Sequence, residues 1–157
     1  MRASLSALKG MFFIYSILNG LTLAALIMVY GTTAFFYAFL GTLAFFGTFA
    51  VLGGVVKRDL TSWTTYLLGA VIALIIVSLL NIFLFDSEFV DLVLGAFGVI
   101  IFTIFTAVDV NRIKGILTAV ALEDDDILER VELIGALMLY LDFINIFLSF
   151  LRFFRRD

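Results

Sequence analysis

Five long apolar segments, separated by short polar ones, dominate the hydropathy pattern of the chain. They cover about residues 11–30, 33–56, 63–85, 89–110 and 133–153. A helix that crosses the hydrocarbon core of a bilayer needs about 20 apolar residues, and each segment supplies them. The segments are too long for barrel strands, and their apolar residues do not alternate with polar ones. The pattern therefore predicts an all-α fold: a polytopic transmembrane bundle of five helices in a single integral membrane domain, residues 1–157.

Composition supports this prediction and narrows the function. Hydrophobic residues make up 64% of the chain, against about 45–50% in a soluble domain. The absence of Cys and His excludes disulfides, thiol catalysis and imidazole proton relays. No basic stripe suggests nucleic acid, and no nucleophile or glycine-rich phosphate loop is present. We therefore expect a protein that is not an enzyme, has no cofactor and has the lipid bilayer as its main partner.

The only long polar segment, residues 111–132, is basic at its start and acidic afterwards. One interpretation is a solvated loop of like charges. The other is a divalent-cation site, although the segment lacks the glycine and the alternating spacing of a calcium loop. The acidic residues are Glu123, Asp124, Asp125, Asp126, Glu129 and Glu132.

The distribution of Lys and Arg gives an orientation. If all five helices cross the membrane, seven of the ten basic residues lie on the side of the amino terminus. The positive-inside rule then places the amino terminus in the cytoplasm. The cluster Arg152, Arg155 and Arg156 argues against this, and a re-entrant last segment would return it to the cytoplasm.

Two acids interrupt the apolar segments: Asp109 near the end of the fourth and Asp142 midway along the fifth. A charge at the centre of a membrane helix costs about 2.5–3.5 kcal/mol on insertion scales. Antiparallel neighbouring helices could bring the two carboxyls together if the fourth helix continues past Val110. Such a pair tends to share one proton, which makes a pH sensor, and the deprotonated pair offers hard oxygen ligands to calcium. Alternatively, Asp109 only marks the membrane boundary and pairs with Arg112.

Other polar residues share faces with these acids. Asp142, Asn145, Ser149 and Arg152 follow one another at steps of three, four and three, which makes one stripe. Thr106 lies one turn before Asp109 and could donate a hydrogen bond to it. The secondary polar lining that we predict is therefore Asn145, Ser149, Asn81 and Thr106.

Several blocks of the sequence resemble the Bax inhibitor-1 family, also called the transmembrane BAX inhibitor motif superfamily, and its bacterial members in particular. They are residues 57–60, residues 80–84, residues 98–109 and the block Leu-Tyr-Leu-Asp-Phe-Ile-Asn at 139–145. The likeness runs from about Leu8 to Arg156. The sequence departs from the family around the first acid, where Val108 and Val110 stand in place of Tyr and Thr.

The resemblance implies a seven-helix fold with a central last helix, in the plasma (inner) membrane of a bacterium. It also implies a calcium leak gated by a di-aspartyl pair, which falls on Asp109 and Asp142. Calcium would be the permeant ion, held transiently by these two acids. The family has two helices before this region, one with an Arg that latches against the first acid. We therefore expect a fragment, a mis-started reading frame, or a reduced member that recruits helices by forming a homo-oligomer.

A second function remains open at this stage. The chain could be a non-conducting regulator that binds another membrane protein, such as a protease or a stress-response component. The glycine- and phenylalanine-rich second segment and the acidic residues 123–126 would then be its docking surfaces.

Overall fold

The computed structural model describes residues 4–122 and 125–154, which form five long helices. Their bounds are α1 (Leu5–Tyr30), α2 (Thr32–Val55), α3 (Trp63–Leu80), α4 (Glu88–Val120) and α5 (Asp125–Phe154), with a π-helical turn at Asn81–Phe85 after α3. All five are long and apolar enough to cross a membrane. The predicted all-α fold is confirmed.

The predicted long polar loop at residues 111–132 is wrong. Residues 111–120 complete α4, and residues 125–132 form the start of α5. Hydropathy marks the part of a helix that suits lipid, whereas backbone hydrogen bonds continue the helix through polar residues. Glu123 and Asp124 lie outside the described residues, as do Arg2, Arg155 and Arg156 of the charge count.

The connections between the helices are short and hydrogen-bonded. Gly31 joins α1 to α2 with a φ of 83°, a conformation that glycine adopts without strain. Between α3 and α4, the amide of Asn81 accepts from the Ser87 N–H and donates to the Ser87 carbonyl. Asp86 lies between them with a φ of 43°. Asn81 therefore fixes this corner of the bundle.

The last helix is central, as the resemblance implies, and α4 shares that position. α5 packs against α1, α2 and α4, while α4 packs against α2, α3 and α5. α5 is one unbroken helix, which argues against a re-entrant last segment. The buried apolar core lies where α2, α4 and α5 meet and consists of Ala38, Val99, Ile146, Phe147, Phe150 and Leu151.

Glycines allow α4 to approach its neighbours closely. A Cβ on Gly53 of α2 would clash with the Ala107 carbonyl oxygen. A Cβ on Gly98 would clash with the Ser149 hydroxyl of α5. Small residues of this kind permit close packing in a membrane, where no hydrophobic force drives helices together.

The first helix lies at the edge of the bundle. It has no buried residue. Its attachments include an ion pair between Lys9 and Glu129 and an edge-to-face contact of Tyr15 with Tyr140, whose ring centroids are 5.7 Å apart. Most of the surface of α1 is therefore available to lipid.

Candidate functional site

The structure brings Asp109 and Asp142 together inside the bundle. α4 continues past Val110, which was the condition for the contact, and the two carboxyl groups interact directly. Each residue is only 6% exposed. The two acids therefore form a buried pair of like groups between α4 and α5.

Among the described residues, no basic group forms an ion pair with these two acids. Asp109 and Arg112 are both described, and no ion pair joins them. Arg112 acts on Asp109 only through a weaker, longer-range attraction. The alternative in which Asp109 is simply the ion-pair partner of Arg112 is therefore wrong.

Hydrogen-bond donors are scarce around the pair. Oδ2 of Asp142 is buried and accepts no hydrogen bond from an N–H or hydroxyl group of the described residues. Thr106 is fully buried, and its hydroxyl donates to the Phe102 carbonyl at 2.9 Å. The predicted hydrogen bond from Thr106 to Asp109 is therefore wrong. Threonine hydroxyls in helices commonly bond the carbonyl four residues back. When one of the two carboxyl groups is protonated, its O–H is thus available to donate a hydrogen bond to the other carboxyl.

The remaining predicted lining residues divide into two groups. Asn145 and Ser149 follow Asp142 along α5, and both side chains donate to carbonyls of their own helix. Asn81 does not join them, because its amide bonds Ser87 at the α3–α4 corner. Asn81 is therefore a structural residue.

A cavity of about 510 Å³ lies beside this part of α5. α1, α3, α4 and α5 contribute its walls, which are mostly apolar. Its polar lining comprises Asn145, Ser149, Arg152 and Ser78, with Tyr30 at the α1 wall. The cavity thus lies next to the Asp109–Asp142 pair, because its lining on α5 includes residues that closely follow Asp142.

A cross-link of three helices lies at one end of the cavity. Nε of Arg152 lies 2.8 Å from Asp91 Oδ1, and its Nη2 donates to the Ser78 hydroxyl at 2.8 Å. Our sequence reasoning missed Asp91. The available signal was an acid one turn into α4, opposite an arginine near the end of an antiparallel α5.

Comparison with known proteins identifies the family. A family model described as inhibitor of apoptosis-promoting Bax1 matches residues 2–157. The chain belongs to the Bax inhibitor-1 family. As a member of that family with five apolar helices, it is an integral membrane protein.

Relatives in bacteria support the assignment. The inner membrane protein YbhL of Escherichia coli K12 is 37% identical over 144 residues, which is 92% of this chain and 61% of YbhL. A membrane protein of Streptococcus pyogenes serotype M6 is 35% identical over 156 residues, or 99% of this chain and 66% of that protein. A protein of Deinococcus radiodurans is 37% identical over 148 residues, covering 93% and 62% of the two chains. This Bax inhibitor-1 family chain thus spans about three fifths to two thirds of the length of these relatives.

Asn111 is a second residue of this family member that our sequence reasoning missed. Its Nδ2 lies 3.0–3.3 Å from the carbonyl oxygens of Gly53, Val56 and Arg58, and its Oδ1 accepts from the Leu60 N–H. One side chain thereby caps the carboxyl end of α2 and holds the following loop against α4. Its signal was a lone amide directly after the fourth apolar segment.

The acidic residues at the α4–α5 connection give no metal site within the part of the chain that the structure describes. No group of three or more acidic side chains able to hold a metal ion occurs in residues 4–122 and 125–154. Glu129 instead pairs with Lys9.

Proposed function

We propose that the chain forms a pH-sensitive calcium leak through the inner membrane of a bacterium, gated by the Asp109–Asp142 pair. The amino terminus lies in the cytoplasm, the orientation that the charge count favours. One observation carries the proposal: two buried carboxyls are in contact, and within residues 4–122 and 125–154 they have no ion-pair partner and few hydrogen-bond donors.

The chemistry of such a pair supports a switch. With one proton between them, Asp109 and Asp142 can hydrogen-bond and hold α4 against α5. Loss of that proton leaves two like charges in a poorly solvated place, where their repulsion is strong. The carboxylates then separate and offer oxygen ligands of the kind that calcium prefers. In this mechanism the leak increases as pH rises.

Liposomes that contain the purified chain and a calcium-sensitive dye test the proposal. In the parent protein, we expect calcium influx to increase from acidic to alkaline pH. In Asp142→Asn, the amide donates permanently to Asp109, so we expect a leak about tenfold lower at alkaline pH and little pH dependence. A tenfold change corresponds to about 1.4 kcal/mol in gating free energy.

Asp86→Asn is the matched control, because it removes an exposed carboxylate from the α3–α4 corner and leaves the pair intact. It should behave like the parent. A leak that is unchanged and pH-independent in both the parent and Asp142→Asn would refute the gating role. Complete absence of a leak in vesicles of protein and lipid alone would favour the regulator that needs a protein partner.

A further inference from the structure

The position of the cavity suggests how ions continue beyond the aspartate pair. Along α5, the lining begins at Asn145, one turn after Asp142, and ends at Arg152. Ten residues of helix separate Asp142 from Arg152, which is about 15 Å at 1.5 Å per residue. The hydrocarbon core of a bilayer is about 30 Å thick. The cavity therefore extends over a large part of the distance from the pair to one membrane surface.

The polar wall of the cavity suits cations better than anions. The Asn145 amide donates to the Leu141 carbonyl at 2.9 Å, and the Ser149 hydroxyl donates to the Asn145 carbonyl at 2.7 Å. Because the single hydroxyl proton of Ser149 is engaged with the helix backbone, the remaining capacity of that side chain is in oxygen lone pairs. Asn145 keeps its carbonyl oxygen as an acceptor, beside one amide N–H that the bond to Leu141 does not use. Side-chain oxygens that line a path replace part of the hydration shell of a cation.

Arg152 is the charged group that lines the far end of this cavity. It is held by Asp91 of α4 and Ser78 of α3, and the Arg152 and Asp91 side chains are 31% and 19% exposed. A guanidinium alone would repel a divalent cation at this point. The carboxylate of Asp91 offsets that repulsion, so the ion pair determines the net charge that a passing ion meets.

We propose that the cavity is the continuation of the calcium path and that the Arg152–Asp91 pair sets the charge of its mouth. This inference rests on the proposed leak function and adds a second determinant of ion flow, at the opposite end of the path from the gate. Asp91 attracts calcium to the mouth and Arg152 limits it.

Charge variants with opposite signs test this role in the same liposomes. Arg152→Gln makes the mouth more negative, and we expect the calcium leak at alkaline pH to increase about fivefold. Asp91→Asn makes it more positive, and we expect the leak to decrease about fivefold. Effects of this size follow from a unit charge acting across several ångströms at intermediate dielectric, after screening by salt. The double variant should return close to the parent leak.

Matched variants separate charge from structure. Lys57→Gln removes an exposed positive charge from the α2–α3 loop, at the other end of the bundle, and should leave the leak unchanged. Ser16→Ala removes a hydroxyl from a part of α1 that does not line the cavity and changes no charge, and should also leave it unchanged. Arg152→Lys keeps the charge and should stay within about twofold of the parent.

The outcomes distinguish the two proposals. If the cross-link is only structural, Arg152→Gln and Asp91→Asn break the same contact and change the leak in the same direction, which would overturn this inference. The same result would follow if neither variant changed the leak. In both cases the gating proposal would stand, provided that Asp142→Asn still abolishes the pH response. If the parent protein does not leak, both proposals are refuted together.

Discussion

The two ends of the α4–α5 contact hold charged side chains in opposite ways. At one end, Asp109 and Asp142 are like groups, each 6% exposed and without an ion-pair partner in the part of the chain that the structure describes. At the other, Arg152 and Asp91 are opposite charges and remain partly exposed. In the proposed mechanism the first pair stays together only while it holds a proton, whereas the second pair needs none. The same helix seam thus combines a contact between like groups with a contact between opposite charges.

Packing also differs between these ends. Near Asp109, α2 meets α4 backbone to backbone at Gly53 and Ala107, and Asn111 binds the end of α2. Near Arg152, Gly95 of α4 meets the backbone of α5 at Ser149 and Phe153, and Gly98 meets the Ser149 hydroxyl. Both ends thus contain a close backbone contact, and the Arg152 end adds a side-chain contact that can rotate and a cavity beside it.

The largest expected effect comes from enlarging the glycines at the two ends. Gly53→Ala should lower the free energy of unfolding in detergent by about 3 kcal/mol, because the added methyl meets a backbone carbonyl that cannot move alone. Gly98→Ala should lower it by about 1 kcal/mol, since the Ser149 hydroxyl can turn away. Gly69→Ala is the control, because open space surrounds that position; it should be neutral or stabilising by up to about 1 kcal/mol. A larger loss for Gly98→Ala than for Gly53→Ala would reverse the comparison.

Asn111→Ala should have the next largest effect. It removes the cap of α2 and leaves the Leu60 N–H and several carbonyls without their partner, for an expected loss of about 2 kcal/mol in the same unfolding measurement. Asn19→Ala is the control, because its amide donates to the Tyr15 carbonyl of its own helix and to no other described residue; it should change stability by less than about 0.5 kcal/mol. Equal losses for the two variants would show that Asn111 does not stiffen the Asp109 end.

Ser78→Ala should give the smallest loss, about 1 kcal/mol, because Arg152 keeps its ion pair with Asp91 when the hydroxyl is removed. The loss should disappear in an Arg152→Gln background, which a double-mutant cycle measures directly. Ser16→Ala, at a serine of α1 that donates to no described residue, is the neutral reference. If the Ser78 effect persisted without Arg152, the cross-link would not be the source of its stability.

Much of the fold could be predicted from the sequence, because a helix that crosses a bilayer needs a long run of apolar side chains, and such runs are visible in the sequence. Hydropathy located all five helices, but it could not locate their polar ends, such as Asn111–Val120 of α4. The predicted hydrogen bond from Thr106 to Asp109 was wrong because a helix carbonyl is nearer to a threonine hydroxyl than a carboxyl one turn away.

The site was predictable only in part. Asp109 and Asp142 stood out because acids are rare in apolar segments, and the family resemblance suggested that they meet. Asp91 and Arg152 lie near helix ends, where charges are ordinary, so the signal that the sequence offered for their contact was weak. Their pairing depends on the antiparallel register of α4 and α5, which is a property of the packed bundle.

The order of the helices along the chain also bears on membrane insertion during synthesis. α1 has no buried residue and can settle in lipid without any partner. α5, by contrast, carries Asp142 in the middle of its apolar segment and is poorly suited to lipid on its own. Because α4 is synthesised first, Asp109 is already in the membrane when α5 emerges. The helix with the most costly residue in its apolar segment is therefore made after α4, when the partner of Asp142 is already in the membrane.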